Sequence, residues 1–206
     1  MTGTTAGTAP APARDGARRR RRAGAVYLVG GAIGLVAAAV LVLERLAMLS
    51  DPGYVPSCSI NPVISCGSVM ESAQASVFGF PNPLIGLVAF AVVVTGGVAM
   101  LAGFEPPAWF TVGMQVGSTL GLVFVHWLIY QSLAEIHALC PYCMVVWLVT
   151  ITVFWYATLE SLALVRPARP LVATLRRFHS SVPAIWYLLI LVAAAWTFRG
   201  FFFGPG

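Results

Sequence analysis

Read from its amino terminus, the chain alternates long apolar runs with short polar breaks. The runs extend from about Ala25 to Leu49, Leu84 to Ala102, Trp109 to Leu133, Pro141 to Leu164 and Ala184 to Phe203. Each is roughly 20 residues or longer, the length an α-helix needs to cross a hydrocarbon layer about 30 Å thick. Glu44 and Arg45 lie near the far end of the first run, and Glu160 near the end of the fourth. The second run carries no charge, and the third none apart from a possible one on His126. Arg199 sits near the terminus of the fifth, where a long side chain can snorkel to the interface. The pattern predicts an all-α integral membrane protein of five spans.

Composition agrees. Hydrophobic residues make up 59% of the chain and charged ones 9%, against about 25% in a soluble domain. With 206 residues, five spans and their connections leave no room for a further soluble domain of ordinary size. Residues 1–24 lack apolar periodicity and predict a disordered Arg-rich tail. A secretory signal is the competing reading of that tail and the run after it. The run is long for a signal core and no small-residue cleavage site follows, so a retained span is expected.

The net charge of +5 would suit a nucleic-acid binder, but its placement points to membrane orientation. All twelve basic residues are Arg, and six lie between Arg14 and Arg22. The positive-inside rule puts that tail in the cytoplasm, loop 50–83 outside, the Gly103–Ala108 turn inside and Ala134–Leu139 outside. The basic stretch 166–183, with Arg166, Arg169, Arg176 and Arg177, then falls in the cytoplasm, and the last segment, 184–206, ends outside. Both basic clusters agree on this topology.

The chemistry lies in four cysteines, Cys58, Cys66, Cys140 and Cys143, all on the predicted outer, oxidising side. Cys140-Pro141-Tyr142-Cys143 opens the fourth run. Two cysteines three apart at a helix start share a face, with Cys143 about 4–5 Å deeper, so Cys140 is expected to meet water and Cys143 the bilayer. Ser68 to Glu71 has the form of a capping box, which puts Cys66 just before a short helix whose apolar pattern includes Met70. The turns built from Pro52, Gly53, Pro56, Asn61 and Pro62 place Cys58 on a mobile tether. An outer pair able to exchange with an inner pair suggests a thiol–disulfide relay. Met144, not His, follows Cys143, so the motif does not attach haem, and no nucleotide fingerprint is present. A quinone is the oxidant that reaches a sulfur at bilayer depth. Three other readings stay open: structural disulfides bracing the outer loops, a four-cysteine zinc site, and a transporter with incidental cysteines. The spans lack the intramembrane charges that usually mark a transport path.

The stretches Cys58-Ser59-Ile60-Asn61 to Cys66-Gly67, Ser72, Phe80-Pro81-Asn82-Pro83-Leu84-Ile85-Gly86 and Cys140-Pro141-Tyr142-Cys143 resemble bacterial homologues of vitamin K epoxide reductase, over about residues 25–165. The order of the two cysteine pairs separates this family from the other quinone-linked disulfide oxidases. The resemblance implies a four-helix catalytic bundle around a quinone, menaquinone or ubiquinone, with a fifth helix beside it. Electrons would pass from a client to Cys58, Cys66, Cys140 and Cys143 and then to the membrane quinone pool, with no metal. Ser72 and Asn82 match positions near the quinone, and Met70, Ile85 and Trp147 are counted with them as pocket residues. Trp147 stands where some relatives have Tyr, and offers an N–H in place of a hydroxyl. Asn82 between two prolines could instead shape the start of the second span, and Trp147 could be core. His126 is expected to be a hydrogen-bonded bundle residue, and Glu135 and His137 to lie in a solvated turn. The implied setting is the cell membrane with an outward-facing site. A thioredoxin-fold oxidase acting in trans would be the partner, serving disulfide formation in secreted proteins.

Overall fold

The computed structural model describes residues 11–165 and 169–203. Helix α1 (Ala11–Ser50) is followed by the short α2 (Cys66–Glu71), a 3-10 turn (Ala73–Ser76), α3 (Pro83–Leu101) and α4 (Ala108–Tyr130). A π-helical turn (Gln131–Ile136) leads to α5 (Pro141–Leu162), and α6 (Arg169–Arg177), α7 (Ser181–Thr197) and α8 (Arg199–Phe203) follow. Among the described residues there is no strand, only one isolated bridge. Four helices, those including α1, α3, α4 and α5, are long and apolar enough to cross a membrane. The pair α6 and α7, bent by 60°, would make a fifth span. The fold is that of an all-α membrane protein.

Three expectations about the elements need correction. Helix α1 starts at Ala11, so much of the expected disordered tail is helical; residues 1–10 lie outside the described residues. Ala and Arg are strong helix formers, and the extension is anchored by ion pairs from Arg20 to Glu105 and from Arg19 to Glu160. The basic stretch 166–183 contains α6, which buries Val172; residues 166–168 lie outside the described residues. The last span is shorter than Ala184–Phe203, because the chain breaks at Phe198 between α7 and α8.

Helices α1, α3 and α5 share a core of Tyr27, Ala38, Phe90, Val149 and Val153, which Met114 of α4 joins. The approach of α1 to α3 is close enough to require glycine. A Cβ on Gly97 would lie 2.4 Å from the Leu28 nitrogen and 2.8 Å from the Gly24 carbonyl oxygen. Without a hydrophobic force between helices in lipid, backbone approach of this kind is how they gain packing. Helix α7 is joined to the bundle by polar contacts. Trp186 Nε1 donates to His126 Nε2 at 3.0 Å, while His126 Nδ1 bonds the Leu122 carbonyl at 2.9 Å. His126 is thus a hydrogen-bonded bundle residue, as its sequence context suggested.

Candidate functional site

Cys140 is the N-cap of α5, with Pro141 at the first helical position, where its missing N–H costs nothing. Cys66 opens α2. Its cap is Ser65, whose hydroxyl accepts the Ser68 N–H, so the capping box lies three residues earlier than the Ser68–Glu71 reading and Cys66 is inside the helix. A parallel bridge between Ile64 and Leu139 brings the two segments together. The Leu139 N–H donates to the Val63 carbonyl at 2.7 Å, and the Ser65 N–H donates to the Leu139 carbonyl at 3.0 Å. Each bridged segment runs within two residues into a cysteine, and the result is Cys66 Sγ 3.0 Å from Cys140 Sγ.

Cys66 is disulfide-bonded to Cys58, whereas Cys140 and Cys143 are free thiols. The sulfurs of Cys58, Cys66 and Cys140 all lie within 4.8 Å of one another. With two of them joined, this state has no set of thiolates to offer a metal. Cys66 and Cys140 are fully buried and Cys58 nearly so. The expectation that Cys140 meets water is therefore corrected, since the disulfide loop covers it.

The Cys58 segment is not a loose tether either. Glu44, at the end of α1, accepts hydrogen bonds from Ser57 at 2.5 Å and Tyr54 at 2.9 Å. The Asn61 side chain accepts the N–H groups of Val63 and Ile64 at 3.0 and 2.7 Å, and Ser59 Oγ accepts the Gly67 N–H at 3.1 Å. Neither Glu44 nor the bridge was identified from sequence. Glu44 reads there as a charge near a membrane interface, and its partners lie 10 and 13 residues away across a turn-rich loop.

The Cys140 thiol titrates below its usual range. The Cys143 thiol has the largest effect, stabilising the thiolate, and the amides of Cys143 and Tyr142 at the open end of α5 help. Burial and the Glu44 charge oppose them. The group poised against the Cys58–Cys66 disulfide is thus the one whose thiolate is favoured.

Cys143 lines a cavity of about 540 Å³ enclosed by the four long helices and covered by the α2 segment. That volume falls in the range of small-molecule sites, about 300–1,000 Å³. All five non-cysteine residues singled out from sequence, Met70, Ser72, Asn82, Ile85 and Trp147, are on its wall. The remaining lining is mainly aliphatic, with Gly113 and Gly117 of α4 leaving room. Glu135 and His137 are exposed in the turn before Cys140 and do not line the cavity. His137 takes a left-handed conformation (φ 55°) that ends the π-helical turn.

The Asn82 side chain is largely committed to local structure. Its amide donates to the Gln74 carbonyl at 2.7 Å and accepts the Val77 N–H at 3.3 Å, joining the 3-10 turn to the start of α3. One N–H of the amide is left over. Ser72 Oγ donates to the Val69 carbonyl at 2.7 Å and retains only acceptor capacity. Trp147, buried to 3% exposure, packs with Val125, Ile129 and Leu139, so it is both core and cavity wall. Its Nε1 has no hydrogen-bond partner among the described residues.

The family model described as vitamin K epoxide reductase family matches residues 25–158. The chain belongs to the vitamin K epoxide reductase family. The match spans the first four membrane helices and all four cysteines, and family membership makes the chain a membrane oxidoreductase acting on thiols and disulfides. No curated protein matches the chain.

Proposed function

We propose that this family member reoxidises an extracytoplasmic thioredoxin-fold partner and delivers the electrons to a membrane quinone, so supporting disulfide formation in secreted proteins. The observation that carries the reading is the position of Cys66 Sγ, 3.0 Å from Cys140 Sγ, while Cys143 faces the large apolar cavity.

The cavity fits a quinone in volume and character, and Cys143 opens onto it. The residual N–H of Asn82 and the Trp147 indole N–H are two donors on its wall suited to ring carbonyls. A quinone bound there would supply the two-electron, two-proton oxidation by which the dithiol of Cys140 and Cys143 becomes their disulfide.

The chain's own residues perform the exchange that precedes this oxidation. A partner dithiol reduces Cys58–Cys66 by attack at Cys58, which expels the Cys66 thiolate and leaves the partner oxidised once its second thiol resolves the mixed disulfide. With Cys140–Cys143 oxidised, the Cys66 thiolate attacks Cys140 Sγ; the Cys66–Cys140 bond forms and Cys143 leaves as thiolate. Cys58 then attacks Cys66, restoring Cys58–Cys66 and releasing Cys140. Two electrons have moved from the outer pair to the inner pair. The arrangement in the structure, with the outer pair bonded and the inner pair free, corresponds to the product of that transfer. A stabilised Cys140 thiolate makes Cys140 the better leaving group in the second step.

Orientation follows from charge. Arg19 of α1 and Arg176 of α6 meet at Glu160, at the end of the bundle away from the cysteines. By the positive-inside rule this concentration of arginine supports a cytoplasmic position for that end and an outward-facing position for the cysteines. The two free, adjacent thiols weigh against a purely structural role for the cysteines.

The test is purified protein in lipid with a menaquinone or ubiquinone analogue and a reduced thioredoxin-fold partner. Quinol is expected to form with wild type and not with Cys143→Ala. Quinone reduction at the wild-type rate by Cys143→Ala would overturn the relay.

A further inference from the structure

We propose that a pocket at the opposite end of the bundle from the cysteines binds a phosphate-bearing anion. The pocket, about 240 Å³, lies where the arginine-rich part of α1 meets the end of α5 and the α6 segment. Arg18, Arg19 and Arg22 line it from α1, Arg176 from α6 and Glu160 from α5. Glu160 is the one acidic group on its wall among the described residues, and it is shared: Arg19 Nε lies 3.4 Å from Oε2, and Arg176 Nη2 lies 3.2 Å from Oε1. Arg176 Nη2 also donates to the Leu159 carbonyl at 3.1 Å. Four guanidinium groups therefore face one carboxylate, and Arg18 and Arg22 have no ion pair among the described residues. A hydrogen bond of 3.0 Å between Tyr156 and His179 Nδ1 fixes the opposite wall.

An unneutralised cluster of forked donors matches the oxygens of a phosphate better than any other common anion, because guanidinium binds it in two parallel bonds. The depth fits as well. At a rise of about 1.5 Å per residue, Arg22 lies about 28 Å along α1 from Leu41, which packs in the cysteine cluster. That is close to one hydrocarbon thickness. The pocket thus sits at the level of lipid phosphates on the far face, and it is open to a headgroup from the bilayer or to a soluble phosphate ester from the aqueous side. Basic pockets between helices on such a face are suited to anionic headgroups.

The full chain in uncharged detergent, titrated with phosphatidylglycerol, phosphatidylcholine or glycerol 3-phosphate and read by native mass spectrometry, tests this site and its source. Retained phosphatidylglycerol without phosphatidylcholine assigns a headgroup; glycerol 3-phosphate that binds alone or displaces the lipid assigns a soluble ester. In either case the Arg18→Gln/Arg22→Gln double variant is expected to weaken binding about thirtyfold, from the usual contribution of an arginine near a membrane surface. Arg21→Gln/Arg177→Gln removes the same charge from exposed positions off the pocket wall and is expected to bind like wild type. Equal loss in both double variants, equal retention of phosphatidylcholine, or no binding of either phosphate probe would overturn the proposal. Thiol-exchange activity retained by both variants establishes that they are folded.

Discussion

Replacing Cys143 by Ala should raise the pKa of the Cys140 thiol. The Cys143 thiol is the largest influence holding Cys140 below its usual range, so its removal leaves burial and the Glu44 charge opposed only by the amides of Cys143 and Tyr142. A hydrogen bond to a charged group contributes about 1.5–3 kcal/mol, and a sulfur donor belongs at the lower end. The expected shift is therefore upward. Because Cys58 and Cys66 are joined and do not titrate, Cys140 is then the only titrating thiol. Its midpoint can be followed by NMR of protein carrying ¹³C at the cysteine β-carbons. Cys143→Ser keeps a donor and should leave the midpoint low. The change has a kinetic consequence. Below the midpoint the thiolate fraction falls about tenfold, but the more basic thiolate is more nucleophilic, with a Brønsted slope of about 0.4–0.5. The net slowing of Cys140 attack on the Cys58–Cys66 disulfide is about three- to fourfold, measurable by acid quench and alkylation. An unchanged or lower midpoint in Cys143→Ala would refute the assignment of Cys143 as the group that stabilises the Cys140 thiolate.

Three further outcomes are expected. Gly97→Ala should destabilise the fold by about 1–3 kcal/mol in detergent unfolding, since its Cβ would lie 2.4 Å from the Leu28 nitrogen, whereas Gly113→Ala, with nothing within 4 Å, should not. Leu139→Pro removes the N–H that bonds Val63 at 2.7 Å and should slow electron transfer between the cysteine pairs, because about 1 Å of misplacement can cost on the order of a hundredfold; quenched alkylation of the four thiols would show it. Asn82→Ala leaves the Gln74 carbonyl and the Val77 N–H without their partner, so stability should fall by about 1–3 kcal/mol while the quinone KM rises; an unchanged KM would confine Asn82 to a structural role.

The spans are legible because lipid imposes a length and a composition that no local preference can disguise. The meeting of Cys66 with Cys140 is legible only as a topological consequence, and the device that registers them is not. One bridge between Ile64 and Leu139 leaves no periodicity in the sequence, and its two hydrogen bonds join residues more than 70 positions apart. Glu44 is hidden for the same reason, since its role depends on the path of a loop toward Ser57 and Tyr54. The burial of Cys140 reverses the expectation drawn from helix depth alone, because depth along α5 carries no sign of the α2 segment folded over it. The helical start at Ala11 was missed because apolar periodicity is a signal of burial, and an Ala- and Arg-rich stretch can form a helix without it. Asn82 and Trp147 could be placed near a cavity from the resemblance, but the hydrogen bonds of Asn82 to Gln74 and Val77 could not.

The most direct measurement uses a variant in which Cys58 and Cys143 are both replaced by Ala, leaving Cys66 and Cys140 as the two sulfurs, 3.0 Å apart in the native arrangement. After mild oxidation in membranes, peptide mapping should find Cys66 bonded to Cys140 within the same chain, as the transfer step requires. If both thiols stay separately alkylatable under oxidation that closes Cys58–Cys66 in wild type, the proposed path between the cysteine pairs is contradicted.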